Sequence, residues 1–144
     1  MITFENDFFN FVENFESKIN EIFPDFKRNF KFYTKDESSI TDVQESPFGT
    51  NPKSQYNGNY HIAYNENLIK KYNLSMDEIW ASICHEIGHH LYTPKREDSD
   101  IEKEIFCDSV AVNLDLKESM LSAVIKLKEL MSKELYENRI KALS

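Results

Sequence analysis

The stretch Ser75-Met-Asp-Glu-Ile-Trp-Ala-Ser-Ile-Cys-His-Glu-Ile-Gly-His-His-Leu91 decides how this chain is read. Ser75 and Glu78 stand at the spacing of a capping box, in which each side chain accepts a backbone N–H from the other residue. Ile79, Trp80, Ile83, Ile87 and Leu91 then recur at helical intervals until Thr93-Pro94 stops the pattern. The spacing predicts an amphipathic helix over about residues 76–92. His85 and His89 lie four apart on one face of it, so two imidazoles can aim at one cation. Glu86 sits one position round, placed to reach a water on that cation. His90 points elsewhere and is not expected to be a ligand. Gly88 is either a tolerated helix glycine, costing about 1 kcal/mol relative to Ala, or a point where another element comes close.

The next segment repeats the device. Ser99 and Glu102 have capping-box spacing, and Ile101, Ile105, Phe106 and Val110 predict a helix over about residues 100–114. It carries Glu104-Ile-Phe-Cys-Asp108, two carboxylates four apart on one face. Glu104 can complete a His2Glu zinc site that leaves one position for water, and Asp108 can accept a hydrogen bond from the far nitrogen of a ligating histidine. The acids Glu97, Asp98, Asp100 and Glu102 lie in or near a charged loop and read as a solvated face. Metzincin spacing requires glycine at position 92 and histidine at position 95; the chain has Tyr92 and Lys95, which excludes that class.

Working outward, Phe4, Phe8, Phe11, Phe15 and Ile19 predict an N-terminal amphipathic helix over about residues 3–23, ended by Pro24. Alternation predicts a strand from Asn29 to Thr34, with a weaker extended stretch from Ile40 to Glu45. Ser46 to Asn59, rich in Pro, Gly, Asn and Ser, reads as a long surface loop. Asn59 to Tyr64 is a short strand candidate, followed by a helical turn with Leu68, Ile69 and Tyr72. Asp115 and Glu118 repeat the capping-box spacing ahead of C-terminal helices over about residues 116–143. Together these predict a single α+β domain over residues 1–144, a small, partly antiparallel sheet packed on helices.

Composition removes several classes of function. With 25 Asp and Glu against 17 Lys and Arg, the net charge is -8, so no field gathers nucleic-acid phosphate. No apolar run approaches the roughly 18 residues that cross a bilayer. The acidic start, Met1 to Asp7, lacks the basic and apolar regions of a secretory signal, so cytoplasmic residence is expected. Cys84 and Cys107 sit in apolar-periodic stretches and are expected as buried, reduced thiols.

The pair His85-Glu86-x-x-His89 and Glu104-x-x-x-Asp108 resembles the gluzincin zinc metallopeptidases, and among them the minimal forms called minigluzincins. Glu104-Ile-Phe-Cys107-Asp108 is also similar to the ExxCD of the peptidase domain in beta-lactam sensor-transducers. The late Glu137-Asn138-Arg139-Ile140 looks like the Arg-Ile segment that closes the domain in prenyl-protein and heat-shock membrane endopeptidases. Those relatives are membrane-embedded, and this chain has no span, so their membrane substrates are not carried over. Residues 1–57 match nothing in these groups.

The resemblance implies one Zn2+ per chain held by His85, His89 and Glu104, with Asp108 behind a histidine, Glu86 as general base, and a peptide or protein as substrate. Arg139 is the first choice of donor to the oxyanion, ahead of Tyr136, His61 and His90. The expected function is therefore zinc-dependent peptide-bond hydrolysis, an endopeptidase activity. The alternatives are a zinc-binding but inactive relative that acts as a regulator or interaction module, and a metal-free helical binding protein. The strand nearest in sequence to the zinc helix, Asn59 to Tyr64, is expected at a sheet edge, offering its main chain to an extended peptide beside the small Ala63.

Overall fold

The computed structural model describes Glu21, residues 30–93 and residues 99–144. Apart from Glu21, the helix expected over residues 3–23 lies outside them, as do Glu97 and Asp98. The described chain is α+β. Three strands, β1 (Phe30–Thr34), β2 (Phe48–Tyr56) and β3 (Asn59–Tyr64), form a sheet in the order β1-β3-β2. β1 runs parallel to β3, with Phe32 opposite Ile62, and β2 runs antiparallel to β3, with Thr50 opposite Ile62.

Three expectations are overturned here. Ser46 to Asn59 is not a loop for most of its length, because Asn57 and Gly58 take φ values of 51° and 80° and turn β2 back onto β3. Positive φ at both central residues is the demand of a type I′ hairpin turn, which Asn-Gly meets at little cost. β2 thereby covers the flank of β3, so Asn59–Tyr64 is the central strand and β2 becomes an edge. The stretch from Ile40 to Glu45 is not extended either: Thr41–Gln44 is a 3-10 turn that buries Val43 against Ala63.

Five helices follow: α1 (Glu66–Lys71), α2 (Met76–Leu91), α3 (Asp100–Asn113), α4 (Lys117–Lys126) and α5 (Lys133–Leu143). The capping box of α2 is formed at both halves, Ser75 Oγ accepting the Glu78 N–H at 3.2 Å and Glu78 Oε1 accepting the Ser75 N–H at 2.9 Å. Glu78 is buried as well, and Lys126 of α4 reaches it at 2.6 Å while the Ser122 hydroxyl donates at 2.7 Å. Burial would raise its carboxyl, but these donors outweigh burial and hold it below the usual range. Ser99 and Ser132 cap α3 and α5 through the Glu102 and Leu135 N–H groups.

Asp115 is not the N-cap expected of it. Its φ is 63°, and the Leu116 N–H bonds the Ala111 carbonyl at 2.9 Å while its own N–H bonds Val112 at 3.2 Å, which is a Schellman motif closing α3. α4 starts after Leu116 without a side-chain cap.

α2 is the central element. Ile79, Ile83 and Ile87 are fully buried, packed with Ile62 and Phe30 of the sheet and with Val110, Met120 and Val124 of α3 and α4. α2 meets α3 most closely at Gly88, where a Cβ would lie 2.6 Å from Cys107 Cα and 3.0 Å from its Cβ. The glycine is thus a close approach, and the helices cross nearly backbone to backbone. Gly88→Ala would gain about 1 kcal/mol of helix propensity and lose about 1–3 kcal/mol to overpacking against a backbone that cannot swing aside. A lower urea midpoint is expected. An unchanged midpoint would show that the crossing tolerates the methyl.

Candidate metal centre

The crossing of α2 and α3 brings His85, His89, Glu104 and Asp108 to one place. His85 Nε2 lies 2.7 Å from Glu104 Oε2, and His89 Nε2 lies 3.8 Å from Glu104 Oε1. On the opposite side of the same ring, His85 Nδ1 lies 2.7 Å from Asp108 Oδ1. Asp108 is held ionised: burial raises its carboxyl, but His85 and Arg139 together push it below the ordinary range. A carboxylate can only accept, so Nδ1 donates to Asp108 and Nε2 donates to Glu104, the two protons of an imidazolium.

Set between two carboxylates, His85 is raised to about 9 although burial pulls it down. His89 falls to about 4, through burial and then the neighbouring His85 charge. Glu104 is lowered to about 2, the His85 hydrogen bond and charge outweighing burial. Two imidazoles and a carboxylate thus converge at one place, a donor set of the kind that can hold a divalent cation.

A second donor set overlaps the first. Cys107, fully buried, places a sulfur so that one ligand atom from each of His85, His89 and Cys107 lies within 4.8 Å of the others. Its thiol is pushed far up by burial and then by Glu104, Glu86 and Asp108. Cys84 is buried too, and the two cysteines are not joined.

Arg139 comes from α5. Nε donates to Asp108 Oδ2 at 2.8 Å and Nη2 to Asp108 Oδ1 at 2.6 Å, a two-point fork on a buried carboxylate. Nε and Nη2 are therefore engaged on Asp108, while Arg139 also lines the cleft beside His85 and Glu86, and Nη1 stands 4.0 Å from Met131 Sδ. The other donors considered are scattered: Tyr136 packs under Lys128, and His61 lies between Tyr33 and Tyr56 on the outer face of the sheet.

Glu86 faces a cleft of about 1110 Å³ that also holds His85, His89 and Glu104. Its carboxyl is raised to about 7, by burial first and by Glu104 next. Phe48, Gly49, Thr50, Pro52 and Lys53 of β2 form one wall, and Leu127, Leu130, Met131 and Leu135 form another. The β2 wall has an open edge. Because the Asn65 N–H bonds the Pro47 carbonyl at 2.8 Å, alternation along an antiparallel pair makes Gly49 face β3 and turns the main chain of Phe48 and Thr50 outward; the Phe48 carbonyl accepts from the Ser46 hydroxyl at 3.1 Å. Sequence reasoning missed β2 and Thr50 altogether; the Asn57-Gly58 pair between two alternating runs was the signal that could have found them.

No family model, curated protein or solved structure matches the chain. Among the described residues, no helix is long and apolar enough to cross a membrane.

Proposed function

We propose that this protein is a zinc metallopeptidase of the gluzincin kind, with a minigluzincin-like arrangement of its helices. The observation that carries the reading is the convergence of His85 and His89 on α2 with Glu104 on α3, beside Glu86 and inside a cleft with an open strand edge. His85, His89 and Glu104 would hold the ion. Glu104 is preferred to Cys107 as third ligand because its carboxylate already bridges toward both histidines, whereas burial and three nearby carboxylates oppose a thiolate.

Bound there, zinc would supply Lewis acidity and would bring the pKa of water toward about 7. Glu86, lining the cleft beside the two histidines, would act as general base toward water and carry the proton to the leaving amine. Asp108 accepts from His85 Nδ1 and so would leave Nε2 for the ion. Arg139 holds Asp108. An extended peptide would add to β2, not β3, meeting the outward main chain of Thr50.

Zinc stoichiometry of the purified protein, with cleavage of a mixed peptide library, tests the reading. Zinc binding without cleavage would make the chain an inactive relative, and absence of both would leave a helical binding protein. Glu104→Ala is expected to abolish tight zinc binding, Asp108→Ala to weaken it by about 10- to 100-fold, and Cys107→Ala to leave it near the parent's. If Cys107→Ala loses the metal and Glu104→Ala keeps it, the ligand set is His2Cys.

A further inference from the structure

The ladder between β2 and β3 becomes irregular beyond Thr50, and a side chain reinforces it there. Thr50 pairs with Ile62, and the register then shifts between Thr50 and Gln55. The His61 carbonyl faces β2, and Thr50 Oγ1 donates to it at 2.6 Å. A hydroxyl has one proton, so Thr50 must accept from His90 Nε2, 2.7 Å away, and the ring is fixed as the Nε2–H tautomer. His90 Nδ1 is buried and has no hydrogen-bond partner among the described residues. The ring packs edge-on against Phe30 and Tyr60, at 5.2 and 5.1 Å between centroids, and cannot turn without giving up both contacts.

We propose that His90 and Thr50 form a clamp that fixes the β2 edge above the His85–His89–Glu104 group, which makes His90 a positioning residue for an extended peptide. The inference rests on the peptidase reading. His90 follows His89 directly on α2, so the helical turn that carries a ligand also carries the anchor of the strand that seats the substrate. Thr50 is the residue whose side chain is clamped and whose main chain faces the cleft. The clamp sits where the regular register breaks, between the Thr50–Ile62 and Gln55–Tyr60 pairs, and there it ties β2 to α2.

The experiment uses the zinc-loaded full chain with His90→Phe, Thr50→Val and Thr50→Ser. His90→Phe keeps a ring against Phe30 and Tyr60 and removes only the donor, and Thr50→Val keeps the branched shape without the hydroxyl. Both are expected to retain the parent's zinc content and kcat, and to raise KM by about tenfold, roughly one net hydrogen bond. Amide exchange at Gly49, the nearest laddered residue, should quicken by a similar factor while α2 stays protected. Thr50→Ser should restore both. Parent-like KM in His90→Phe and Thr50→Val, in a protein that cleaves peptide, would overturn the clamp alone. Exchange that quickens throughout α2 and the sheet would also overturn it, by reducing both residues to general stability. A parent that binds zinc but neither binds nor cleaves an extended peptide would sink the peptidase reading and the positioning role with it.

Discussion

Glu86→Gln is expected to keep near-stoichiometric zinc while peptide hydrolysis falls by about 10²- to 10⁴-fold, the range for a lost general base. The amide fills the same space and accepts through one oxygen, but cannot take a proton. Glu86 lies between two ligand positions on α2 and lines the cleft, so its removal should leave the ion's own donors untouched. Metal analysis and kcat/KM on one cleaved peptide decide the matter together. Loss of zinc in this variant would move Glu86 into the ligand set. Retained activity would require another base.

The second large effect is expected at Arg139. Replacing it by Met leaves Asp108, 1% exposed, with a carboxylate that has lost its two-point cation partner. Breaking a buried pair from one side costs about 3–5 kcal/mol, a large part of the roughly 5–15 kcal/mol that holds a domain together. The His85 ring also loses part of its support, so zinc affinity should fall with stability. The double variant Arg139→Met with Asp108→Asn should be no less stable than Arg139→Met alone, because it removes the stranded charge. Urea unfolding of the parent and the two variants measures this. An Arg139→Met protein with parental stability and zinc affinity but reduced kcat would return the arginine to the oxyanion.

How much of this was legible in the sequence depends on how local each feature is. The capping box at Ser75, the isoleucine stripe of α2 and the paired acids of α3 are decided within a few turns, and they stand where periodicity puts them. The Gly88 crossing could be suspected but not known, since it depends on Cys107 of another helix. β3 was misplaced at an edge because the residues that cover it were read by composition: prolines, glycines and asparagines said loop, while the Asn57-Gly58 turn said hairpin. Asp115 repeated a capping pattern but ends α3, because its positive φ serves the Schellman motif and the chain must turn before α4. Arg139 is singled out by the late Arg-Ile segment as an oxyanion donor, while its partner in the fold, Asp108, is 31 positions away and invisible to any local rule.

The close crossing of α2 and α3 also divides the molecule by sequence separation. His85 and Asp108 are 23 residues apart, whereas Thr50 and His90 are separated by 40 and His85 and Arg139 by 54. Closing the shorter loop costs less chain entropy, and the ligand-bearing pair of helices shares a backbone contact that needs no third element to define it. The strand edge and the last helix are tied to this pair from far along the chain. Partial opening at either remote tie therefore leaves the histidines and Glu104 in mutual reach, so the proposed ion site and the proposed substrate edge belong to regions that can open separately.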